Sequence, residues 1–314
     1  MNVVLDYSAG PYLTARLRNL QTDGLTVTAC PQTESSRFDA LLQETVVLWH
    51  VIEPLTAAVI GGAPRLRLIQ KIGVGVNTID LDAAQQRDVA VCNMPGTNSQ
   101  AVAEMTLLLM LATLRRLQHL DRATRAGDGW SRATEWQNDV GELSGKTIGL
   151  VGYGAVPRLL APIVTAMGAR VLFTSLTPKP QAVGMPRELD ALLHESDIVS
   201  LHVPLTPDTT HLIDRDTIAR MKPGAILINT ARGALIDESA LVAALTHGTL
   251  AAAGLDVFET EPAPAASPLF ALDNVVATPH VAWLTQETLD RSLGVAVENC
   301  RRLAHNQDLL HRVV

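Results

Sequence analysis

Residues 146–158 read Lys146-Thr147-Ile148-Gly149-Leu150-Val151-Gly152-Tyr153-Gly154-Ala155-Val156-Pro157-Arg158. A short apolar run rich in β-formers ends in two glycines, and a helical pattern follows. That is how a nucleotide-binding βαβ unit begins. Gly152 allows the tight turn, and Gly154 lets the backbone approach a pyrophosphate. The next helix then points its first N–H groups and positive dipole end at the phosphates. Where a third glycine is usual, the chain has Pro157. Proline is tolerated in a first helical turn, because its missing N–H has no helical partner there. The site is therefore expected to survive with altered packing. Alone, a two-glycine match also fits a plain strand-to-helix turn.

Outward from this motif the chain alternates. Towards the C-terminus the strand candidates are Thr147–Val151, Arg170–Thr174, Ile198–His202, Ala225–Asn229, Ala252–Asp256 and Val275–Thr278. Helical patterns fall between them, including Glu188–Leu193, Arg215–Met221 and Glu238–Thr246. Six strands with intervening helices make one complete doubly wound domain. Towards the N-terminus the strand candidates are Asn2–Leu5, Leu25–Thr28, Val46–Val51, Leu68–Lys71 and Val89–Asn93, with helices such as Pro11–Leu20 and Leu81–Arg87. This alternation favours a second parallel sheet. Asn93-Met94-Pro95-Gly96-Thr97 is turn chemistry and reads as a crossing point, followed by one long helix from about Ala101 to Ala126. The stretch Thr285–Leu303 reads as one amphipathic helix that returns to the first domain and makes it discontinuous.

Composition sets bounds. The chain has 314 residues, 47% of them apolar, so a sizeable core is available and disorder is not expected. Net charge is −7 and the pI is near 5.7, which argues against nucleic acid or an anionic membrane as a partner. No signal peptide is legible at the start, and the longest apolar stretch, Met105 to Leu114, is too short to span a bilayer. Cys30, Cys92 and Cys300 are odd in number and lack metal-ligand spacing, so neither a disulfide framework nor a metal site is expected. A reducing cytoplasm is the simplest setting.

Three segments after the glycine turn each place one ionisable residue at a strand end: Arg232, Glu261 and His280. In a parallel sheet these tips share the carboxyl edge, where ligands bind in open α/β folds. The combination suits a 2-oxo acid. Arginine is a fixed, forked cation able to hold a carboxylate and polarise a carbonyl. Histidine exchanges a proton near neutral pH, and a carboxylate beside it favours the protonated ring. Taken singly, a histidine after proline reads as a solvated or capping residue, and Arg-Gly as a turn. Asp256 reads equally as a helix cap, and His202 as a structural residue at a strand end.

At this point the chain resembles the D-isomer-specific 2-hydroxyacid dehydrogenases, nearly end to end and most strongly from 145 to 284. The resemblance rests on Lys71-Ile72-Gly73-Val74-Gly75-Val76-Asn77, Asn93-Met94-Pro95-Gly96-Thr97-Asn98 with Val102-Ala103-Glu104, and Leu201 to Thr209. Met221 to Gly233, Gly254 to Pro262 and Thr278-Pro279-His280 complete it. It implies two doubly wound parallel-sheet α/β domains. A Rossmann cofactor domain, 99–284, is inserted in a discontinuous flavodoxin-like substrate domain, 1–98 and 285–314. It also implies an oxidoreductase in which a reduced nicotinamide passes hydride to the C2 carbonyl of a 2-oxo acid, giving a D-2-hydroxy acid. Arg232 would orient and polarise that carbonyl, and the N–H groups of Val74 and Gly75 would bind the carboxylate. His280 would donate the proton, held by Glu261 rather than Glu259. The cofactor would run along Gly152, Gly154, Ala155, Val156, His202, Pro204, Thr209 and Thr230, with Asp256 at the nicotinamide end. An arm from about 101 to 140, with Trp130 and Trp136, resembles the family's dimerisation element and implies a homodimer. Its apolar face reads equally as ordinary core.

Two departures matter. NAD-preferring units usually carry an acid at the end of the second strand, about 20 residues after the first glycine, to bind the ribose 2′-hydroxyl. Here 171–179 contain none, and Ser175 stands at that place. A missing carboxylate removes the repulsion against a 2′-phosphate, and Ser175, Thr177 and Lys179 offer bonds to one. The expectation is NAD(P), with NADP(H) favoured over NAD(H), although Leu176 takes the place where clearly NADP-specific relatives carry arginine. The second departure concerns substrate. Pro279-His280-Val281-Ala282-Trp283 resembles glycerate dehydrogenases and hydroxypyruvate or glyoxylate reductases, so a small 2-oxo acid is expected. Trp49, His50, Val51 and Trp283 are candidates to line its pocket, and Trp283 reads equally as a packing aromatic. Three rivals stand beside this reading. One is a formate dehydrogenase, against which Glu261 argues because those enzymes pair the histidine with glutamine. The others are a non-enzymatic dinucleotide sensor and a protein whose Pro157 has abolished cofactor binding.

Overall fold

The computed structural model describes all residues except 132, 133 and 135, and for residues 22 and 23 the backbone alone. It divides into two compact units, one formed by Met1–Asn98 with Leu284–Val314 and the other by Ser99–Trp283.

The first unit begins with β1 (Asn2–Asp6), α1 (Pro11–Asn19), β2 (Thr26–Ala29), α2 (Ser35–Leu42), β3 (Val47–His50), α3 (Ala57–Gly61), β4 (Leu68–Lys71), α4 (Leu81–Gln86) and β5 (Ala90–Cys92). The strands pair in parallel in the order β2-β1-β3-β4-β5. Every residue of β3 and β4 is buried, polar ones included. Burial on both faces is why these strands read as short continuous runs rather than alternating ones.

The second unit contains α5 (Ser99–Leu114), α6 (Leu117–Ala126), β6 (Thr147–Val151), α7 (Ala155–Ala166), β7 (Arg170–Phe173), β8 (Met185–Pro186), α8 (Leu189–Glu195) and β9 (Ile198–Leu201). It continues with α9 (Arg215–Arg220), β10 (Ala225–Asn229), α10 (Glu238–Thr246), β11 (Leu250–Leu255) and β12 (Val275–Ala277). Its seven strands are parallel, in the order β12-β11-β10-β9-β6-β7-β8. The order reverses between β6 and β9, so the glycine turn that follows β6 lies at the topological switch point. Gly149 in β6 matters here: a Cβ on it would lie 2.4 Å from both Leu192 Cδ2 and Ser196 Oγ, so only glycine lets α8 pack this closely.

Two expectations are corrected. The single helix expected over 101–126 is two, α5 and α6, which meet at Arg116 in a left-handed conformation (φ 46°). The end of α5 is taken up by a distant donor, since Leu114 O accepts the Gly141 N–H at 2.8 Å. Local periodicity does not register such a partner. The other correction is a seventh strand, β8, where six were expected. It has two residues, one a proline, and a Tyr153 hydroxyl bonded to both Val183 N (2.8 Å) and Val183 O (3.2 Å) holds the chain just before it.

The chain re-enters the first unit through α11 (Gln286–Ala304), whose N-cap Thr285 accepts from Thr288 N at 3.1 Å. The buried Asn299 ties it in, donating to Gln70 Oε1 (2.6 Å) and Leu310 O (3.1 Å) and accepting from Leu310 N (2.7 Å). Among the described residues no helix is long and apolar enough to cross a membrane, and no cluster of three or more His, Cys, Asp or Glu could hold a metal ion. Cys30, Cys92 and Cys300 are buried free thiols.

Candidate active site

The glycine turn is built for close approach. Gly152 has φ 96°, and a Cβ on it would lie 2.8 Å from His202 O and 2.9 Å from Val203 Cγ1. Its N–H donates to Thr174 Oγ1 at the end of β7 (3.0 Å). Gly154 caps α7 in an extended conformation, and a Cβ there would enter open space. The protein itself therefore does not require glycine at 154, whereas a pyrophosphate laid against the backbone does. Ala155 and Val156 open the helix with N–H groups that the helix cannot use. Pro157 follows in the same first turn with its ring buried, and α7 continues behind it to Ala166 with a second proline, Pro162, inside it. These residues fit a dinucleotide.

Around the turn, several candidates are committed to holding loops. The His202 ring bonds Ser200 Oγ (2.9 Å), and burial holds its pKa far below the ordinary imidazole value, so it is neutral. Thr209 Oγ1 donates to Pro204 O (2.7 Å) and closes that loop. The Thr230 hydroxyl is buried against Thr106 Oγ1 of α5 (2.9 Å). Past β7, Ser175 and Thr177 are exposed; Ser175 Oγ donates to Thr177 O (2.9 Å), and Lys179 Nζ donates to Thr177 Oγ1 (2.7 Å). Leu176 projects fully into solvent.

Arg232, Glu261 and His280 come from the loops after β10, β11 and β12. The first loop is shaped by the buried Asn229, whose Nδ2 donates to Arg232 O (2.8 Å) and whose Oδ1 accepts from Ala231 N (3.0 Å). Gly233 then packs backbone to backbone on the second loop: a Cβ there would fall 1.8 Å from the carbonyl carbon of Phe258. Glu261 Oε1 accepts from Phe258 N (2.9 Å), and Glu261 Oε2 lies 2.6 Å from His280 Nδ1. Glu259, two residues earlier, pairs with His211 instead (2.7 Å).

The third loop is fixed by Asp256. Its Oδ1 accepts from Thr278 Oγ1 (2.6 Å) and Val281 N (2.9 Å), and its Oδ2 from Ala282 N (2.8 Å). His280 N donates to Asp256 O (2.7 Å), and Trp283 Nε1 donates to His280 O (3.1 Å). These bonds hold His280 at φ 54°, a left-handed conformation that a residue other than glycine keeps only when its surroundings insist. Bonding between Nδ1 and a carboxylate assigns the Nδ1 proton and leaves Nε2 as the exchanging atom.

Charge follows the same design. Burial pushes Glu261 up, but the His280 bond and field, the Phe258 N–H and Arg232 outweigh it, and the carboxyl lies below its ordinary value. Arg232 is lowered by burial with Glu261 opposing, and as a guanidinium it stays charged. Asp256 is raised by burial, against the bonds from Thr278, Ala282 and Val281.

In the first unit, the 73–77 loop has its peptide planes set from one side. Gly73 O accepts from Met94 N (2.8 Å), and Val74 O accepts from Asn93 Nδ2 (2.9 Å). In a trans peptide the next N–H points opposite the carbonyl, so Val74 N–H and Gly75 N–H face away from residues 93–94. The pocket-lining expectation is corrected. Trp49, His50 and Val51 are buried in the core, and Trp283 is 8% exposed, packing beneath His280. A cavity of about 460 Å³ in the first unit, bordered by Tyr7, Arg18 and Arg37, holds none of the candidate residues. The sequence reading also missed Asn93, Asn229 and Gly233 as organisers. An asparagine at or just past the end of a strand, as at 229 and 93, is a turn-former, which was the available signal for those two.

A Rossmann sheet with a glycine turn at its switch point, and an Arg, Glu and His on the loops after β10, β11 and β12, defines a nicotinamide-dependent oxidoreductase. Residues 107–282 match the family described as D-isomer specific 2-hydroxyacid dehydrogenase, NAD binding domain. The chain is 43% identical over 244 residues to a glyoxylate reductase of Aeropyrum pernix, covering 76% of this chain and 73% of that one. It is 42% identical over 252 residues to a D-3-phosphoglycerate dehydrogenase of Mycobacterium leprae, covering 79% of this chain but only 47% of that one, so it spans about half the length of such relatives. The structure superposes on the TT0316 protein from Thermus thermophilus with a TM-score of 0.87 at 38% identity, each chain fully covered. The chain belongs to the D-isomer-specific 2-hydroxyacid dehydrogenase family.

Gly233→Ala should force the Arg232 loop off the Phe258 backbone. The expected result is a loss in kcat/KM for 2-oxo acid reduction on the order of a hundredfold, in a protein whose circular dichroism is retained. Unchanged kinetics would mean that this close packing does not set the site.

Proposed function

We propose that this protein reduces the C2 carbonyl of a small 2-oxo acid, of the glyoxylate, hydroxypyruvate or pyruvate class, to the D-2-hydroxy acid. A bound nicotinamide dinucleotide supplies the hydride. Arg232 orients and polarises the substrate carbonyl. The N–H groups of Val74 and Gly75 hold its carboxylate. His280 delivers the proton from Nε2, and Glu261 fixes the ring through Nδ1. Asp256, Asn229 and Trp283 position these groups. The observation that carries the reading is the 2.6 Å contact between His280 and Glu261 on loops of the dinucleotide sheet. A non-enzymatic sensor is not favoured, because the acid–base pair is fully assembled and the relatives are named as reductases and dehydrogenases.

The finer parts of the proposal have their own support. NADP(H) is favoured by the exposed Ser175 and Thr177, by the half-buried Lys179 beside them, and by the lack of an acid over 171–179. A homodimer is favoured by Leu159 and Ile163 on α7 and Met167 at its C-cap, spaced four apart and 37%, 38% and 40% exposed, and by Leu108 of α5, which is 51% exposed. Such a row on a helix face is costly to leave in water. Of the arm expected to serve dimerisation, positions 132, 133 and 135 lie outside the described residues, and Trp130 is 89% exposed. The three buried free thiols agree with a reducing, cytoplasmic setting.

His280→Gln is expected to lower kcat for reduction by roughly 10²–10⁴ while the dissociation constant for NADPH, measured by fluorescence titration, stays within about twofold of wild type; a wild-type turnover would remove His280 from the chemistry. For the cofactor, kcat/KM should be higher with NADPH than with NADH, and a strong NADH preference would overturn the reading of Ser175. Light scattering should give twice the chain mass for wild type and one chain mass for Ile163→Asp. A monomeric wild type would refute the dimer.

A further inference from the structure

We propose that Lys71 is a positioning residue for substrate binding, a buried brace that fixes the 73–77 loop from beneath. The inference rests on the reading of Val74 and Gly75 as the carboxylate-binding groups, and it adds to that reading a residue outside the loop. Lys71 ends β4 and is 6% exposed. Its ammonium donates to Val51 O, past the end of β3, and reaches Thr78 Oγ1 at 3.5 Å. The side chain passes directly under the loop: an ideal Cβ on Gly73 would stand 3.6 Å from Lys71 Cε. Thr78 is held from the other side by His50 Nε2 (2.9 Å), and His50 Nδ1 lies 3.6 Å from Asp6 Oδ2.

The arrangement has a mechanical consequence. Residues 93–94 fix the carbonyls of Gly73 and Val74 at one end of the loop, while Lys71 and His50 fix Thr78 at the other. The two N–H groups between are then held as a rigid pair. A bidentate carboxylate site gains affinity from such preorganisation, because the donors need not be ordered on binding. Burying an ammonium is costly unless it is well hydrogen-bonded, so a lysine placed only for packing would be poorly chosen here. Burial also drives His50 down to about 4, with Asp6 opposing and Lys71 reinforcing, so His50 meets Thr78 as a neutral ring.

The test uses whichever of glyoxylate, hydroxypyruvate or pyruvate the wild type reduces fastest, with saturating NADPH. Lys71→Met keeps the length and apolar stem and removes the donors. The expected result is a rise in KM on the order of tenfold, with kcat within about twofold and the NADPH dissociation constant unchanged. Lys71→Arg should restore most of the lost affinity. Thr78→Val, which severs the same brace without touching a charge, should raise KM in the same sense, and it decides the matter if Lys71→Met does not fold. A folded Lys71→Met or Thr78→Val with wild-type KM, or with kcat lost and KM preserved, would overturn the inference. His280→Gln run in parallel separates the two levels. If that variant turns over at the wild-type rate, the proposed chemistry has failed; if it is inactive while the Lys71 variants keep wild-type KM, only the brace has.

Discussion

The geometry of the proposed active site depends on a place where two backbones touch. Gly233 lies so close to Phe258 that no side chain fits between them, a hypothetical Cβ falling 1.8 Å from the Phe258 carbonyl carbon and 1.9 Å from its oxygen. The loop carrying Arg232 is thereby keyed to the loop carrying Glu261. Asn229 stiffens the first loop from within, and Phe258 N–H, bonded to Glu261 Oε1, stiffens the second. The Glu261–His280 bond then passes this register to the third loop, so one glycine governs the relative placement of Arg232, Glu261 and His280. Contacts of this kind transmit rather than absorb displacement, because close-packed interiors deform little.

Electrostatics completes what packing begins. Four charged or chargeable groups, Arg232, Asp256, Glu261 and His280, are grouped at one sheet edge, and each carboxylate has a distinct task. Asp256 accepts three hydrogen bonds from the histidine loop and serves as its anchor. Glu261 faces the ring and is held below its ordinary value, burial being outweighed by His280, Phe258 N–H and Arg232. For a carboxyl lowered on folding, the stabilisation is fully present above the ordinary carboxylate pKa and disappears as pH falls through the lowered folded value. Glu261 therefore faces His280 as a carboxylate at neutral pH. Asp256 is raised by burial, so it opposes folding at neutral pH, and its three hydrogen bonds to the histidine loop are what it supplies in exchange.

Much of this was legible in the residues. The alternation of strands and helices marked both parallel sheets, because doubly covered strands are short apolar runs and their helices are separately periodic. The trio was readable because each member follows a strand in the same sheet. What the sequence hid was long-range. The break at Arg116 depends on Gly141 reaching back to Leu114, and β8 depends on the Tyr153 hydroxyl. Asp256 drew attention as a strand-tip acid, but its three partners lie 22 to 26 residues onward. Trp49 and His50 drew attention as candidates to line the substrate pocket, yet both are fully buried. An end-of-strand residue in a doubly wound sheet points to one face or the other, and only the packed structure decides which.

Pro157 shows how a departure from a motif can be absorbed. The third glycine of the usual fingerprint permits close packing of helix on strand, and a proline ring cannot imitate that. Here the ring is buried in the first turn of α7, where the lost N–H had no partner to lose. The tight approach in this sheet is made elsewhere, by Gly149 under α8 and by Gly254, whose missing side chain leaves room for Leu109 of α5 at 3.0 Å from the hypothetical Cβ. The two glycines that the proposed ligand site would need are present: Gly152, with a φ of 96° and its closeness to His202, and Gly154, with open space above it. Substitution has fallen on the one position of the three whose role concerns protein packing alone, and packing admits more than one solution where a phosphate's approach to the backbone does not.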